Sequence, residues 1–241
     1  MISDFAMRGK KNISYLFKKI KYDRDFLKEN PGYFRPDGLF VFCGAQGSGK
    51  TLSAVNYVYN LMYLYPNALL VTNLDLKDYP IDNERVFRFT DANDFGKYNN
   101  GKLGVIFLVD EIHLYLNSLK SNNINIDVIT QISQQRKQRK HIVATCQVFG
   151  RMAKPLREQF SCVVLCKSYF NFIQKNMLID RDSIDGDDST GTNIHGKVKR
   201  TYWYFRHPEM FKRYDTYAII NNPELSYSRD NQDIYERSEK K

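Results

Sequence analysis

The octet Gly44-Ala45-Gln46-Gly47-Ser48-Gly49-Lys50-Thr51 constrains this chain more than any other stretch. It follows Leu39-Phe40-Val41-Phe42-Cys43, a run too apolar for an exposed strand, and precedes Leu52, Val55, Val58, Leu61 and Met62, which recur at helical spacing until Pro66. A buried strand, a glycine turn and a helix in that order open an α/β domain, the context in which G-x-x-x-x-G-K-[ST] cradles phosphate. Glycines let successive N–H groups line one concavity, and the helix N-terminus adds partial positive charge there. Lys50 is expected to reach the β- and γ-phosphates of a bound nucleotide and the Thr51 hydroxyl to ligate Mg²⁺. Gly44, Gln46, Gly47, Ser48, Gly49 and Leu52 complete the expected nucleotide-binding set. The alternative, a glycine-rich turn without a ligand, is disfavoured because the context matches as well as the letters.

Such a site needs a second carboxylate, and Val105-Ile106-Phe107-Leu108-Val109 ends in Asp110-Glu111. Open α/β sheets place their ligands at the carboxyl ends of strands. Asp110 is therefore read as holding the Mg²⁺ shell and Glu111 as the group that polarises the attacking water. The competing reading is a pair of exposed acids capping the next helix. An Asp-Glu pair favours a motor-like or additional-strand ATPase over a small GTPase, and the absence of an Asn-Lys-x-Asp guanine reader favours ATP. His113 reads as an ordinary helix-surface residue, and no metal site is expected beyond the nucleotide-bound ion.

Further strands are expected at Ala68–Thr72, Val86–Phe89, Val105–Val109, Ile142–Thr145 and Cys162–Cys166, separated by helical stretches, which argues for a parallel sheet covered on both faces. Gln147, just past the strand Ile142–Thr145, is placed to sense the γ-phosphate or position water. Before that strand lies Ser133-Gln134-Gln135-Arg136-Lys137-Gln138-Arg139-Lys140-His141. As a solvated helix end it would carry no function; beside the nucleotide, Arg136 and Arg139 would serve as fingers for a neighbouring subunit's γ-phosphate or contact DNA phosphates. Arg151 and Arg157 are further finger candidates, and the sequence does not rank the four.

The chain of 241 residues divides, on this reading, into a basic N-terminal arm (1–36), an ATPase domain (37–220) with an acidic loop at 180–196, and a polar tail (221–241). Val198–Phe205 reads as a strand returning after the loop, His207-Pro208 as the start of a short helix, and Tyr217–Ile220 as an edge strand. Lysine and arginine number 36 against 27 acids, a net charge of +9, which points to an anionic partner without choosing among nucleic acid, nucleotide and membrane. Cys43, Cys146, Cys162 and Cys166 lie in apolar runs without zinc spacing and are read as buried small apolar side chains in a reducing cytosol. No stretch approaches the roughly 18 apolar residues of a membrane span, so a soluble protein of a host cytoplasm is expected.

Together the P-loop GAQGSGKTLSAV, the strand ending Thr72-Asn73-Leu74-Asp75-Leu76, the Asp110-Glu111 strand, Gln147 and Tyr214-Asp215-Thr216 resemble the Zot-type ATPases. These are relatives of zonula occludens toxin and of filamentous-phage assembly proteins within the FtsK-HerA group. The resemblance covers roughly residues 39 to 220. It implies a RecA-like core with a β-rich C-terminal extension, a ring-shaped homo-oligomer with ATP between subunits, and work on viral or mobile-element DNA. It carries over Lys50, Thr51, Asp110, Glu111 and Gln147 in the roles above, and no finger arginine. The membrane-bound assembly proteins continue into a transmembrane helix, whereas this chain ends in a polar tail. The expectation is therefore a motor packaging a phage genome, duplex DNA held by its backbone, with a capsid or portal protein as a further partner and possible association with the virion. A virion-assembly or extrusion ATPase acting with membrane partners is the alternative.

Overall fold

A computed structural model describes residues 15, 18–36, 38–116, 126–152, 154–180, 183–184 and 196–215. The chain forms two compact units, Met1–Tyr33 and Phe34–Lys241. In the first, residues 18–29 form helix α1 within the basic arm. Lys19 pairs with Asp23 one turn on at 2.8 Å. Tyr22 stacks on Phe26, whose ring meets the edge of Tyr33 at 4.8 Å. The Asn30 backbone and side chain both donate to the Phe26 carbonyl and end the helix.

The second unit contains, in order, β1 (Gly38–Cys43), α2 (Lys50–Leu64), β2 (Leu69–Thr72), β3 (Val86–Arg88), α3 (Asp94–Lys97), β4 (Val105–Val109), α4 (Ile126–Ser133), β5 (Lys140–Cys146), α5 (Lys154–Arg157), β6 (Phe160–Tyr169), β7 (Ile173–Asp180), β8 (Val198–Phe205) and α6 (Pro208–Lys212). The strands build one eight-stranded sheet in the order β3-β2-β4-β5-β1-β6-β7-β8. Neighbours from β3 to β6 run parallel, and β7 and β8 add antiparallel. This is the expected α/β core with a mainly parallel sheet and a C-terminal β-rich extension. β5 lies between β1 and β4, so an additional strand separates the P-loop strand from the strand that ends in Asp110.

Every residue of β4 and β5 is buried, because both sheet faces are covered. Strand alternation divides their side chains between two cores. Ile106, Leu108 and Val143 face Leu52, Val55, Val58, Tyr59 and Met62 of α2. Phe107, Val109, Ile142 and Ala144 face Phe89, Phe95, Phe149 and the α4 residues Val128 and Ile132. α2 forms because its apolar residues fall on one helical face, and the turn at Tyr65-Pro66 ends it.

Most strand positions are those the apolar runs predict, although β6 extends beyond Cys162–Cys166 at both ends and β7 matches no expected strand; two further departures have tertiary causes. β5 begins two residues before Ile142, and Lys140 is 2% exposed there, its Nζ donating to the Phe95 carbonyl at 2.6 Å. Burial lowers its pKa. The basic run Gln134–Arg139 is a turn joining α4 to β5 rather than a helix end, with Arg139 left-handed at φ 53°. The edge strand expected at Tyr217–Ile220, the tail 221–241 and most of the acidic loop 180–196 lie outside the described residues. Among the described residues no helix is long and apolar enough to cross a membrane.

Phe107 is fully buried at the centre of this sheet and packs on Phe95 at 5.0 Å. Phe107→Ala is expected to cost about 3–5 kcal/mol of unfolding free energy in urea titration, whereas Tyr63→Ala on the solvent side of α2 stays within about 0.5 kcal/mol.

Candidate nucleotide-binding site

The candidate site residues gather at the carboxyl ends of β1, β4 and β5. The loop from Gly44 to Gly49 turns directly into α2, with Gly47 and Gly49 in the left-handed region at φ 76° and 82°. Gly49 needs that freedom twice over, since a Cβ there would also strike the side chains of Gln174 and Arg206. The first turn of α2 carries no acidic residue, so its N–H groups and partial positive charge remain turned to the loop. Lys50 is 6% exposed and folds back over the loop, its Nζ donating to the Ala45 carbonyl at 3.2 Å. Ser48 Oγ is buried without a hydrogen-bond partner. An open cleft of about 510 Å³ runs from Gly44–Ser48 along Leu165–Tyr169 and Asn171, a size typical of small-molecule sites.

Asp110 stands opposite the loop. Its Oδ1 accepts from Thr51 Oγ1 at 2.9 Å and from Thr145 Oγ1 at 2.6 Å. Its main chain is fixed by Asn73 at the end of β2: Asn73 Nδ2 donates to the Asp110 carbonyl at 2.9 Å, and Asp110 N–H donates to Asn73 Oδ1 at 2.8 Å. Burial raises the Asp110 pKa, against the opposing effect of the two hydroxyls. A desolvated carboxylate beside a hydroxyl, facing a phosphate cradle, is the hard oxygen donor set that suits Mg²⁺.

Glu111 adopts φ 50° and ψ 51°, a left-handed conformation rare for a side chain of this size. Its N–H donates to Thr145 Oγ1 at 2.9 Å, so one threonine hydroxyl serves both carboxylate residues. Gln147 Nε2 reaches Glu111 Oε1 at 3.5 Å, and His113 Nδ1 lies 3.2 Å from Glu111 Oε2. The structure thus brings Lys50, Thr51, Asp110, Glu111 and Gln147 together. It places His113 beside Glu111 and half-buried, not out on a helix surface, because a short 3₁₀ turn, Ile112–Leu114, follows the left-handed residue.

Of the four finger candidates, Arg151 ends the short 3₁₀ turn Phe149–Arg151 just past the carboxyl end of β5, and the other three lie elsewhere. Arg136 and Arg139 precede the first residue of β5, whereas Gln147 follows its last, a separation of roughly 20 Å along the strand. Arg157, at the end of α5, precedes the first residue of β6 at that same amino-terminal edge. None of the three joins the P-loop within one chain.

No chemical motif marks Asn73, Thr145, Gln174 or Arg206. Asn73 lies within the Thr-Asn-Leu-Asp-Leu stretch, its one local signal. Gln174 is fully buried on β7; its Nε2 donates to the Ser48 carbonyl at 3.0 Å, and its Oε1 accepts from Arg206 Nε at 3.0 Å and Nη2 at 2.6 Å. The antiparallel extension therefore holds the back of the P-loop, a contact no local pattern announces.

The N-terminal domain of zonular occludens toxin from Neisseria meningitidis is similar, with a TM-score of 0.52, 17% identity, and coverage of 75% of this chain and all of that one. This chain shares the fold of that domain. Weaker likenesses are the genome packaging NTPase B204 from Sulfolobus turreted icosahedral virus 2 in complex with AMP (TM-score 0.46, 10% identity, 61% of this chain and 94% of that one) and a further isolated ATPase domain (TM-score 0.47, 12% identity, 83% and 97%). No family model matches the sequence, and no curated protein matches it.

Because its pKa is raised, Asp110 destabilises the nucleotide-free fold when ionised: the stability it allows is complete below the unfolded value near 4 and is lost as pH rises through the higher folded value. Asp110→Asn keeps an oxygen for both hydroxyls. It is expected to melt higher than the parent at pH 7.5, on the order of 2–4 °C, with the gap closing towards pH 4. Calorimetry across this pH range checks it, and equal melting throughout would contradict it.

Proposed function

We propose that the chain is an ATP-hydrolysing motor that translocates phage or viral DNA into a capsid, working as a ring with ATP held between subunits. The observation that carries the ATPase reading is the closed set of bonds joining Thr51 of the P-loop helix to Asp110 and Thr145, with Glu111 fixed one residue further on. In this reading the loop N–H groups and Lys50 bind the β- and γ-phosphates, Lys50 leaving the Ala45 carbonyl to do so. Thr51 and Asp110 would hold Mg²⁺, which when bound neutralises phosphate charge. Glu111 takes the proton of the attacking water, whose oxygen bonds to the γ-phosphorus as the bridging oxygen leaves with ADP. Gln147 holds Glu111 in line and reports whether the γ-phosphate is present.

Arg136, Arg139 and Arg157, distant from their own chain's P-loop, are assigned to a neighbour's site or to DNA phosphates. The +9 charge and the basic arm favour a DNA partner held through its backbone without base reading. A capsid or portal protein is the further partner of this reading.

Steady-state ATP hydrolysis with and without duplex DNA tests it. Glu111→Gln is expected to lower kcat by roughly 10²–10⁴-fold while still binding ATP, and Lys50→Ala to lose ATP binding. DNA is expected to stimulate the parent several-fold. Hydrolysis indifferent to DNA would overturn the DNA motor and favour an assembly ATPase acting with membrane partners.

A further inference from the structure

The far edge of the sheet carries an exposed aromatic surface that the nucleotide site does not use. Strand register puts Lys167, Lys175 and Trp203 in one row across β6, β7 and β8, and Tyr169, Ile173 and Phe205 in the next, all on one face. Trp203 is 55% exposed, Phe205 65%, and Phe170, in the β6–β7 turn, 84%. The rings stack in sequence: Tyr169 and Trp203 at 5.7 Å with planes 29° apart, Phe170 and Phe172 at 6.1 Å and 28°, and Phe172 and Phe205 at 6.3 Å and 5°. Phe170 and Asn171 hold the turn with positive φ values of 51° and 59°, so an exposed Phe occupies a backbone position that suits glycine or asparagine.

Cations dominate this edge. Residues 160–179 and 196–208 contain no Asp or Glu, and they include Lys167, Lys175, Lys197, Lys199, Arg200 and Arg206. Asp180, at the end of β7, pairs with Lys199 at 3.0 Å. Lys167 and Lys175 stand directly opposite each other, a like-charge pairing that destabilises a bare sheet and that a bound anion relieves. The Lys175 ammonium sits 4.7 Å over the Trp203 ring.

We propose that this face of β6, β7 and β8 binds single-stranded nucleic acid, with unpaired bases stacked on Trp203, Phe205, Phe172 and Phe170 and phosphates on Lys167 and Lys175. Flat aromatic faces interleaved with cations are what splayed bases require, whereas duplex DNA offers its phosphates but no free base faces. The proposal rests on the nucleic-acid reading above and specifies it. The opposite side of the same strands bears Gln174, which holds the Ser48 carbonyl, and Tyr204, whose hydroxyl lies 2.9 Å from Ser53 Oγ of α2. Base binding and the P-loop thus share two strands.

Trp203 is the single tryptophan of the chain, so its fluorescence reports on this surface directly. Titration of the full-length protein with oligo(dT) is expected to quench that emission and to show at least tenfold tighter binding than a duplex of equal length at the same salt. Phe205→Ala and Phe172→Ala are each expected to weaken oligo(dT) binding by about tenfold or more without changing hydrolysis measured in the absence of DNA. Equal affinity for both nucleic acids, unaltered by these variants, would overturn the platform and leave the motor intact. Binding of neither nucleic acid, with hydrolysis unaffected by both, would overturn platform and motor together. Quenching by phosphatidylglycerol vesicles but not by oligo(dT), or self-association in sedimentation that both variants abolish with no oligo(dT) quench, would assign the surface to a membrane or a second copy and overturn the proposal.

Discussion

The candidate site depends on one hydroxyl. Thr145, buried in the middle of the sheet, donates to the Asp110 carboxylate and accepts from the Glu111 backbone, so the two acidic residues share an anchor on the next strand. The anchor exists because β5 is inserted between β1 and β4, which brings a β5 side chain beneath the end of β4. Without that strand, Asp110 would be a desolvated carboxylate with one hydroxyl partner, and nothing would hold the uncommon backbone angle at Glu111. Asn73 completes the arrangement from the other side of β4. Three neighbouring strands thus fix two residues whose positions cannot tolerate slack.

The parallel half of the sheet was legible because burial on both faces writes itself into sequence as unbroken apolar runs. Val105–Val109 is read correctly to the residue. The P-loop is legible for a different reason: backbone curvature and phosphate chemistry restrict the residues at fixed offsets, so the local string carries the geometry. Asp110 and Glu111 follow because they terminate the most apolar strand. Lys140, Gln174 and Asn176 are hidden from this kind of reading, for they are polar side chains buried by partners that arrive from distant parts of the chain. On β7 the buried side is polar and the opposite side carries Lys175 and Met177, so the alternation is inverted and reads as surface. The placement of Arg136 and Arg139 is missed because adjacency in sequence to β5 says nothing about which of its ends is near the nucleotide.

The sheet therefore has two halves of different character. From β3 to β6 it is a parallel core whose side chains pack into two apolar layers and whose carboxyl ends collect the site. From β6 to β8 it is an antiparallel extension with a polar, hydrogen-bonded side and an aromatic, cationic side. β6 belongs to both: it is hydrogen-bonded on one side to β1, which leads into the P-loop, and on the other to β7 of the outer edge.

The contact of Gln174 and Arg206 with the loop at Gly49 bears on how such a chain can diversify. The hairpin cannot be exchanged between related cores as an independent cassette, because part of the wall behind the phosphate cradle travels with it. A recombinant that imports a foreign hairpin would also import a new fit at Ser48 and Gly49, and inheritance of the outer edge is therefore tied to inheritance of the loop.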